Sequence, residues 1–411
     1  MLNSGGVVIR MHQNLDKISY LVPQKPEFDA IVKQLSRKPF SEEIISMLSQ
    51  VSHEILRDKV AKSYPDVITF AFWCRKASLI NMKEQYTGIE DRIGRGVIFH
   101  ITPSNVPVNF AYSLAAGLLS GNINIVRVPT KEYPQIEIIT KAIVKVLSNE
   151  KFKHFEQYIT LLRYNRDDKV TTYFSELSDI RVIWGGDSSI KEIRTSPLKA
   201  RAFDVTFSDR YSICVINAKE YNDLLNTDKI TEGFYNDTFL FDQNACTAPH
   251  LIVWLGNSDQ VSNAKNRFWK NVHSLTQKKY DIQPIQAVDK LISAFRAATE
   301  LDVKWKQSSD NLIIRGDIIH LKDGVENYHC NSGFFLEYTA QSLDEIKYIV
   351  NNKYQTLSYF GLDSKEIMEF VIKNQLRGID RIVPIGKTTD FSLTWDGYDL
   401  IKTFSRKIYS L

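Results

Sequence analysis

Residues 241–250 read Phe-Asp-Gln-Asn-Ala-Cys-Thr-Ala-Pro-His, and the apolar run Leu251-Ile252-Val253-Trp254-Leu255 follows at once. A thiol, Cys246, set among small and polar side chains before that run predicts an irregular loop delivering sulfur to the edge of a buried strand. Small neighbours leave room for a substrate carbonyl, and backbone N–H groups beside such a thiol can face a developing oxyanion. That is the chemistry of covalent acyl transfer through sulfur. Most free cysteines are inert packing residues, so the assignment needs support from the rest of the chain.

Four other stretches carry candidates. Thr102-Pro103-Ser104-Asn105-Val106-Pro107 follows an apolar predicted strand, at the end where open α/β sheets place their ligands. Asn105 offers an amide donor there, or forms an ordinary Asx turn. Arg127 closes the next predicted strand and either faces phosphate or is a solvated terminus. Gly185-Gly186-Asp187-Ser188-Ser189 follows a third strand and opens a helix, where free N–H groups can meet phosphate or simply turn the chain. Gly94-Arg95-Gly96 fails as a dinucleotide fingerprint, because the third glycine is absent and the pair precedes its strand. Glu337 ends an apolar strand, and a carboxylate there requires a partner, protein or ligand. His250 lies four residues beyond Cys246 as a candidate base, although a histidine opening a strand more often packs.

The elements that must position these groups read as α/β. The front end, residues 28–79, has helical apolar spacing, interrupted at Pro39-Phe40-Ser41-Glu42-Glu43 with Ser41 as the expected N-cap, and the first thirty residues read as irregular. Short strands then alternate with helices from Gly96 to Gly186, as in a doubly wound parallel sheet, and a second α/β series follows from residue 201. The chain has 411 residues, 43% hydrophobic and 24% charged, with a net charge of +4, which is ordinary for a globular protein of two or three domains. No block of like charges suggests nucleic acid, and the longest apolar stretch is too short to cross a bilayer. Four cysteines, Cys74, Cys214, Cys246 and Cys330, show no metal-ligand spacing, and Cys74 and Cys214 fall in core positions. The opening segment lacks signal-sequence character, so the expected compartment is a reducing cytoplasm, where a thiol stays free.

Three ordered segments resemble the aldehyde dehydrogenase superfamily, and within it the LuxC-type acyl-CoA/fatty-acid reductase family. They are Gly96–Pro107 with Ser120–Arg127 (Gly-Val-Ile-Phe-His-Ile-Thr-Pro-Ser-Asn-Val-Pro and Ser-Gly-Asn-Ile-Asn-Ile-Val-Arg), then Phe241–Pro249, and finally Arg381–Lys387 with Trp395-Asp396-Gly397-Tyr398 and Ser405-Arg406. The resemblance implies a Rossmann-type NAD(P)-binding domain with the helical front end (residues 1–207), an α/β catalytic domain bearing the cysteine loop (208–384), and a C-terminal segment (385–411) returning to the cofactor domain or an oligomer interface. It implies Cys246 as the catalytic thiol and Asn105 as the oxyanion-hole amide. Ser104, Arg127, Gly185, Gly186 and Glu337 would bind the cofactor, Arg127 near the adenosine ribose, the glycines at the pyrophosphate, and Glu337 at the nicotinamide ribose. The implied cofactor is NADPH, with no metal. The implied substrate is a fatty acyl-CoA or acyl-protein thioester, with an acyl-activating synthetase as a possible partner and a homo-oligomer as the assembly.

One departure is informative. Hydrolytic aldehyde dehydrogenases carry a Glu-Leu-Gly-Gly-Lys segment whose glutamate activates water, whereas Thr206-Phe207-Ser208-Asp209-Arg210 has threonine in that place. An acyl-sulfur intermediate then resists hydrolysis and waits for a thiol or a hydride, unless Asp204 or Asp209 substitutes. A cysteine acyltransferase or thioesterase without hydride transfer, and a non-catalytic acyl-transfer scaffold, are the alternatives.

Overall fold

The computed structural model describes residues 18–308 and 310–411, so the reading of the opening segment falls largely outside it. The chain forms two compact units, one running to Ser208 and including Tyr398–Leu411, the other spanning Asp209–Gly397.

The strands of the first unit are β1 (Ser19–Val22), β2 (Arg92–Gly94), β3 (Val97–Ile101), β4 (Ile123–Arg127), β5 (Ile159–Arg163), β6 (Ile180–Trp184) and β7 (Phe203–Phe207). Six of them form a sheet of order β1-β5-β4-β3-β6-β7. Pairing is parallel throughout except at β1, which runs antiparallel to β5. β3 and β6 are buried at every residue, as central strands covered on both faces must be. The chain winds outward from β3 to β5, then resumes on the other side of β3 with β6 and β7. The carboxyl ends of β3 and β6 therefore flank the switch point, where such sheets bind ligands.

Helix Asn109–Leu119, which links β3 to β4, lies almost wholly inside. Its Gly117 permits that approach, since a Cβ there would come within 1.9 Å of Asn124 Oδ1. His100 sits below it, with Nδ1 2.8 Å from Ser113 Oγ and Nε2 3.0 Å from Asn124 Oδ1. The chain's last strand, Ser405–Lys407, pairs antiparallel with β2, so the C-terminus belongs to this unit.

The front end departs from its reading in three places. β1 lies within the stretch expected to be irregular. Residues 65–79 form two helices, Pro65–Trp73 and Lys76–Glu84, with the fully buried Cys74 between them. Ser41 does precede helix Glu42–Arg57, but its hydroxyl makes no cap bond and is buried without a partner among the described residues.

The second unit contains β8 (Tyr211–Asn217), β9 (Pro249–Leu255), β10 (Val303–Trp305), β11 (Ile314–Ile318), β12 (Phe334–Ala340), β13 (Tyr354–Phe360) and β14 (Arg381–Pro384). Their order is β10-β11-β12-β9-β8-β13-β14, parallel except at β10. Cores pack on both faces, one around Leu251, Val253 and Leu336, the other around Trp254, Phe268 and Phe335. Regularity breaks at one point. On β9, His250 is an extra residue opposite the step from Ser212 to Ile213. On β13, Gln355 and Thr356 bulge across from the same Ser212. Bulges re-aim side chains, and both of these stand at the amino ends of their strands, beside the loop that carries Cys246.

Candidate active site

The cysteine loop is fixed by its own amides. Helix Asp228–Thr238 and a short turn, Phe239–Phe241, lead into Asp242 (φ 52°) and Gln243 (φ 58°), two successive left-handed residues. Side-chain bonds hold this uncommon conformation. The Gln243 amide, 1% exposed, donates to the carbonyls of Pro249 (3.0 Å) and Phe334 (3.1 Å) and accepts from the N–H groups of Gly333 (2.9 Å) and Phe334 (3.2 Å). It therefore staples the loop to β9 and β12 at once. The Tyr280 hydroxyl donates to Asp242 Oδ1 at 2.6 Å.

Cys246 follows, half-buried and free of any disulfide. Its carbonyl accepts from the Ser212 hydroxyl at 2.7 Å, and Ser212 Oγ in turn accepts from the Thr356 N–H at 3.2 Å. Its sulfur accepts from Gln355 Nε2 at 3.4 Å. The same Gln355 nitrogen donates to Asp396, which faces Arg210 at 3.9 Å, while Arg210 also bonds Asp380. Burial pushes the Cys246 thiol up to about 12, the Asp396 charge adds to the rise, and Gln355 and Arg210 oppose it. The resting group is a thiol.

His250 turns away from this chemistry. Its ring stacks on Tyr211 (5.7 Å between centroids, 20°) and lies 5.0 Å from His329. Burial and His329 push it down to about 3, so the imidazole is neutral, and its Nδ1 is buried without a partner among the described residues.

In the first unit, Ser104, Asn105, Arg127, Gly185 and Gly186 share one carboxyl edge, after the adjacent strands β3, β4 and β6. Ser104 and Asn105 are exposed in the turn before helix Asn109–Leu119, and the Ser104 carbonyl accepts from the Tyr133 hydroxyl at 2.7 Å. Arg127 stacks over the Tyr164 ring at 4.7 Å and donates to the Tyr164 carbonyl at 3.2 Å, so its guanidinium is pre-oriented at the edge. Gly186 caps the short helix Asp187–Ile193, and Asp187 in its first turn puts a negative charge there. This edge fits the adenosine side of a dinucleotide through Arg127, and the pyrophosphate less well because of Asp187.

Two expectations are corrected by their surroundings. Glu337, set for the nicotinamide ribose, is 0% exposed in the middle of β12. Its Oε1 accepts from the indoles of Trp254 (2.9 Å) and Trp269 (2.7 Å), and its Oε2 pairs with Arg315 at 3.3 Å. The partner required for a buried carboxylate is protein, and no face is left for a ribose. Asp204, a substitute base, is committed to Arg181 (2.7 Å) and Arg194 (3.3 Å). Ser212, Gln243, Gln355 and Asp396 escaped the sequence reading. Gln243 and Asp396 carried a signal, lying in the quoted segments around Cys246 and Trp395, whereas Ser212 and Gln355 carried none.

Similarity to solved structures defines the class first. A putative aldehyde dehydrogenase from Burkholderia cenocepacia matches with a TM-score of 0.64 at 13% identity, over 93% of this chain and 88% of that one. Lactaldehyde dehydrogenase from Escherichia coli matches at 0.59 and 12%, over 89% and 85%. An indole-3-acetaldehyde dehydrogenase complexed with NAD+ matches at 0.63 and 11%, over 92% and 85%. The fold is aldehyde dehydrogenase-like. Within that class, residues 29–407 match the model of the acyl-CoA reductase (LuxC) family, and the chain belongs to that family. A curated relative, the long-chain acyl-protein thioester reductase of Vibrio harveyi, is 21% identical over 308 residues, 72% of this chain, and the match spans 60% of that relative's length. Among the described residues no helix is long and apolar enough to cross a membrane, and no cluster of His, Cys, Asp or Glu is arranged to hold a metal.

Proposed function

We propose that this protein reduces a long-chain fatty acyl thioester, carried on CoA or on a protein, to the fatty aldehyde through an acyl-Cys246 intermediate, with NADPH as reductant. The observation that carries the reading is the Cys246 sulfur, half-buried on a stapled loop and in contact with an amide donor. Family membership supports the reaction class.

In the first half-reaction the Cys246 sulfur attacks the acyl carbonyl carbon, the bond to the donor sulfur breaks, and the proton of the Cys246 thiol passes to the departing thiolate. Burial raises the thiol and disfavours a free thiolate, which favours coupling of attack and proton transfer. The Asn105 amide and a backbone N–H at the loop are the proposed oxyanion donors. A dihydronicotinamide, when bound, would supply the hydride to the acyl carbon. Breaking the carbon–sulfur bond to Cys246 then releases the aldehyde, and the thiolate left on Cys246 takes a proton from solvent. Holding the acyl group on sulfur keeps it in place while the first product leaves.

Ser104, Arg127, Gly185 and Gly186 are the proposed nucleotide contacts, Arg127 favouring the phosphorylated cofactor. An acyl-activating partner, homo-oligomeric assembly and a reducing cytoplasm complete the proposal. The test is a single-turnover assay with a long-chain acyl-CoA, with and without NADPH, beside Cys246→Ala. Wild type should form an adduct on Cys246 and release aldehyde only with NADPH, and the variant should do neither. An adduct hydrolysed regardless of nucleotide identifies a thioesterase, and unlabelled Cys246, with acyl-CoA or an acylated partner, rejects the proposal.

A further inference from the structure

Gln355 lies in the bulge on β13, and its side chain reaches the Cys246 thiol. The residue is 1% exposed, yet its amide nitrogen meets two acceptors, Cys246 Sγ at 3.4 Å and an Asp396 carboxylate oxygen. Its amide oxygen lies 3.4 Å from the Thr356 hydroxyl, which donates to it. These partners fix the amide's orientation. Rotated by half a turn, it would set oxygen against the Asp396 carboxylate and remove the donor from sulfur. Asp396 is itself held. It sits at φ 48° before Gly397 at φ 75°, and Arg210, tied to Asp380, faces its other oxygen. Arg381 is the remaining charged group facing both Asp396 and Cys246.

We propose that Gln355 is a catalytic residue, its amide N–H stabilising negative charge on the Cys246 sulfur, and that Asp396 is the positioning residue that aims this amide while its own charge opposes the one on sulfur. The inference rests on the reading of Cys246 as the nucleophile. Sulfur carries developing charge twice, when it loses its proton to attack and when its bond to carbon breaks at the end. A donor fixed on sulfur serves both moments without rearranging. Asp396 acts in opposition. It lends the donor its direction and disfavours the thiolate by like charge, and burial raises its own carboxyl as well. An acyl group on sulfur removes that repulsion until the carbon–sulfur bond breaks, so the restraint acts whenever the sulfur gathers charge.

The two residues therefore have opposite signatures. The experiment measures the rate at which Cys246 in the full-length protein reacts with iodoacetamide from pH 7 to 9, located by peptide mapping because Cys330 is also half-buried. Below the thiol's midpoint, the thiolate fraction changes about tenfold when that midpoint moves by about one pH unit. Gln355→Met and Gln355→Glu should each slow alkylation by about tenfold. Asp396→Asn, which keeps an acceptor for the amide but removes the charge, should quicken it severalfold. Circular dichroism confirms that each variant folds, and the second Gln355 variant stands if the first does not. Changes of the same sign in both positions, as general loosening of the loop would give, overturn the inference, as does no change in either. Failure of the functional reading shows separately, as wild-type Cys246 that alkylates normally but never accepts an acyl group.

Discussion

The Ser212 hydroxyl donates to the Cys246 carbonyl at 2.7 Å and accepts from the Thr356 N–H at 3.2 Å, so one oxygen ties the loop to two strands of the sheet. Ser212 also stands opposite both bulges, His250 on β9 and Gln355 with Thr356 on β13. The sheet loses its regular ladder at the point where the loop must be held, and the serine replaces what the ladder no longer supplies.

Ser212→Ala removes this bridge from the half-buried Cys246 carbonyl and the buried Thr356 N–H. The expected cost is about 1–3 kcal/mol of stability, read as a lower urea midpoint with unchanged slope. The acylation rate of Cys246 should fall by more than that loss of stability alone explains, because the backbone beside the sulfur is no longer fixed. Equal acylation by folded wild type and folded variant would show that the remaining bonds, those of Gln243 and Tyr280, hold the loop without Ser212.

Glu337 provides a contrast between a structural and a binding carboxylate. Glu337→Leu would strand two indole N–H groups and leave Arg315 without its counter-charge. Breaking a buried ion pair from one side costs about 3–5 kcal/mol, toward the lower end here because Arg315 reaches solvent. The variant should unfold at markedly lower denaturant. A milder Glu337→Gln, which keeps an acceptor for the indoles, should retain nucleotide affinity within about twofold. A tenfold loss of nicotinamide nucleotide binding in folded Glu337→Gln would restore the ribose assignment.

The same residue shows what the sequence could tell. Glu337 sits in a segment that reads clearly as a strand, and the rule that a buried carboxylate needs a partner holds, but the partners are Trp254, Trp269 and Arg315, distant in sequence. The alternation of β3 to β7 with helices was legible because each strand is a short apolar run punctuated by glycine, proline or polar turns. β11, with glycine and aspartate inside it, was not, and neither was β1. The irregular loop that carries Cys246 into the buried strand β9 was legible from its small and polar residues. Gln355 was not, because its access to sulfur depends on a register slip between β13 and β8, which local composition does not encode.

Buried histidines set an acid limit on stability. His100, enclosed by Ser113 and Asn124, is pushed by burial from 6.5 down to about 4, and His250 from 6.5 down to about 3. In both, the unfolded chain takes up a proton that the folded chain refuses. Their contribution to stability is therefore complete above pH 6.5 and is lost as pH falls toward 4, at about 1.4 kcal/mol per pH unit for each imidazole. Asp237 runs the other way, because burial raises it from 3.8 to about 6 and it gains its proton more readily when folded. Comparison with a variant isolates the histidine effect from that opposing carboxyl. Urea midpoints measured from pH 7.5 to 4.5 should fall less steeply in His250→Phe, which preserves a ring against Tyr211, than in wild type. If the two curves stay parallel below pH 6.5, His250 is protonated inside the fold, and its stacking against Tyr211 and His329 must then accommodate a charge.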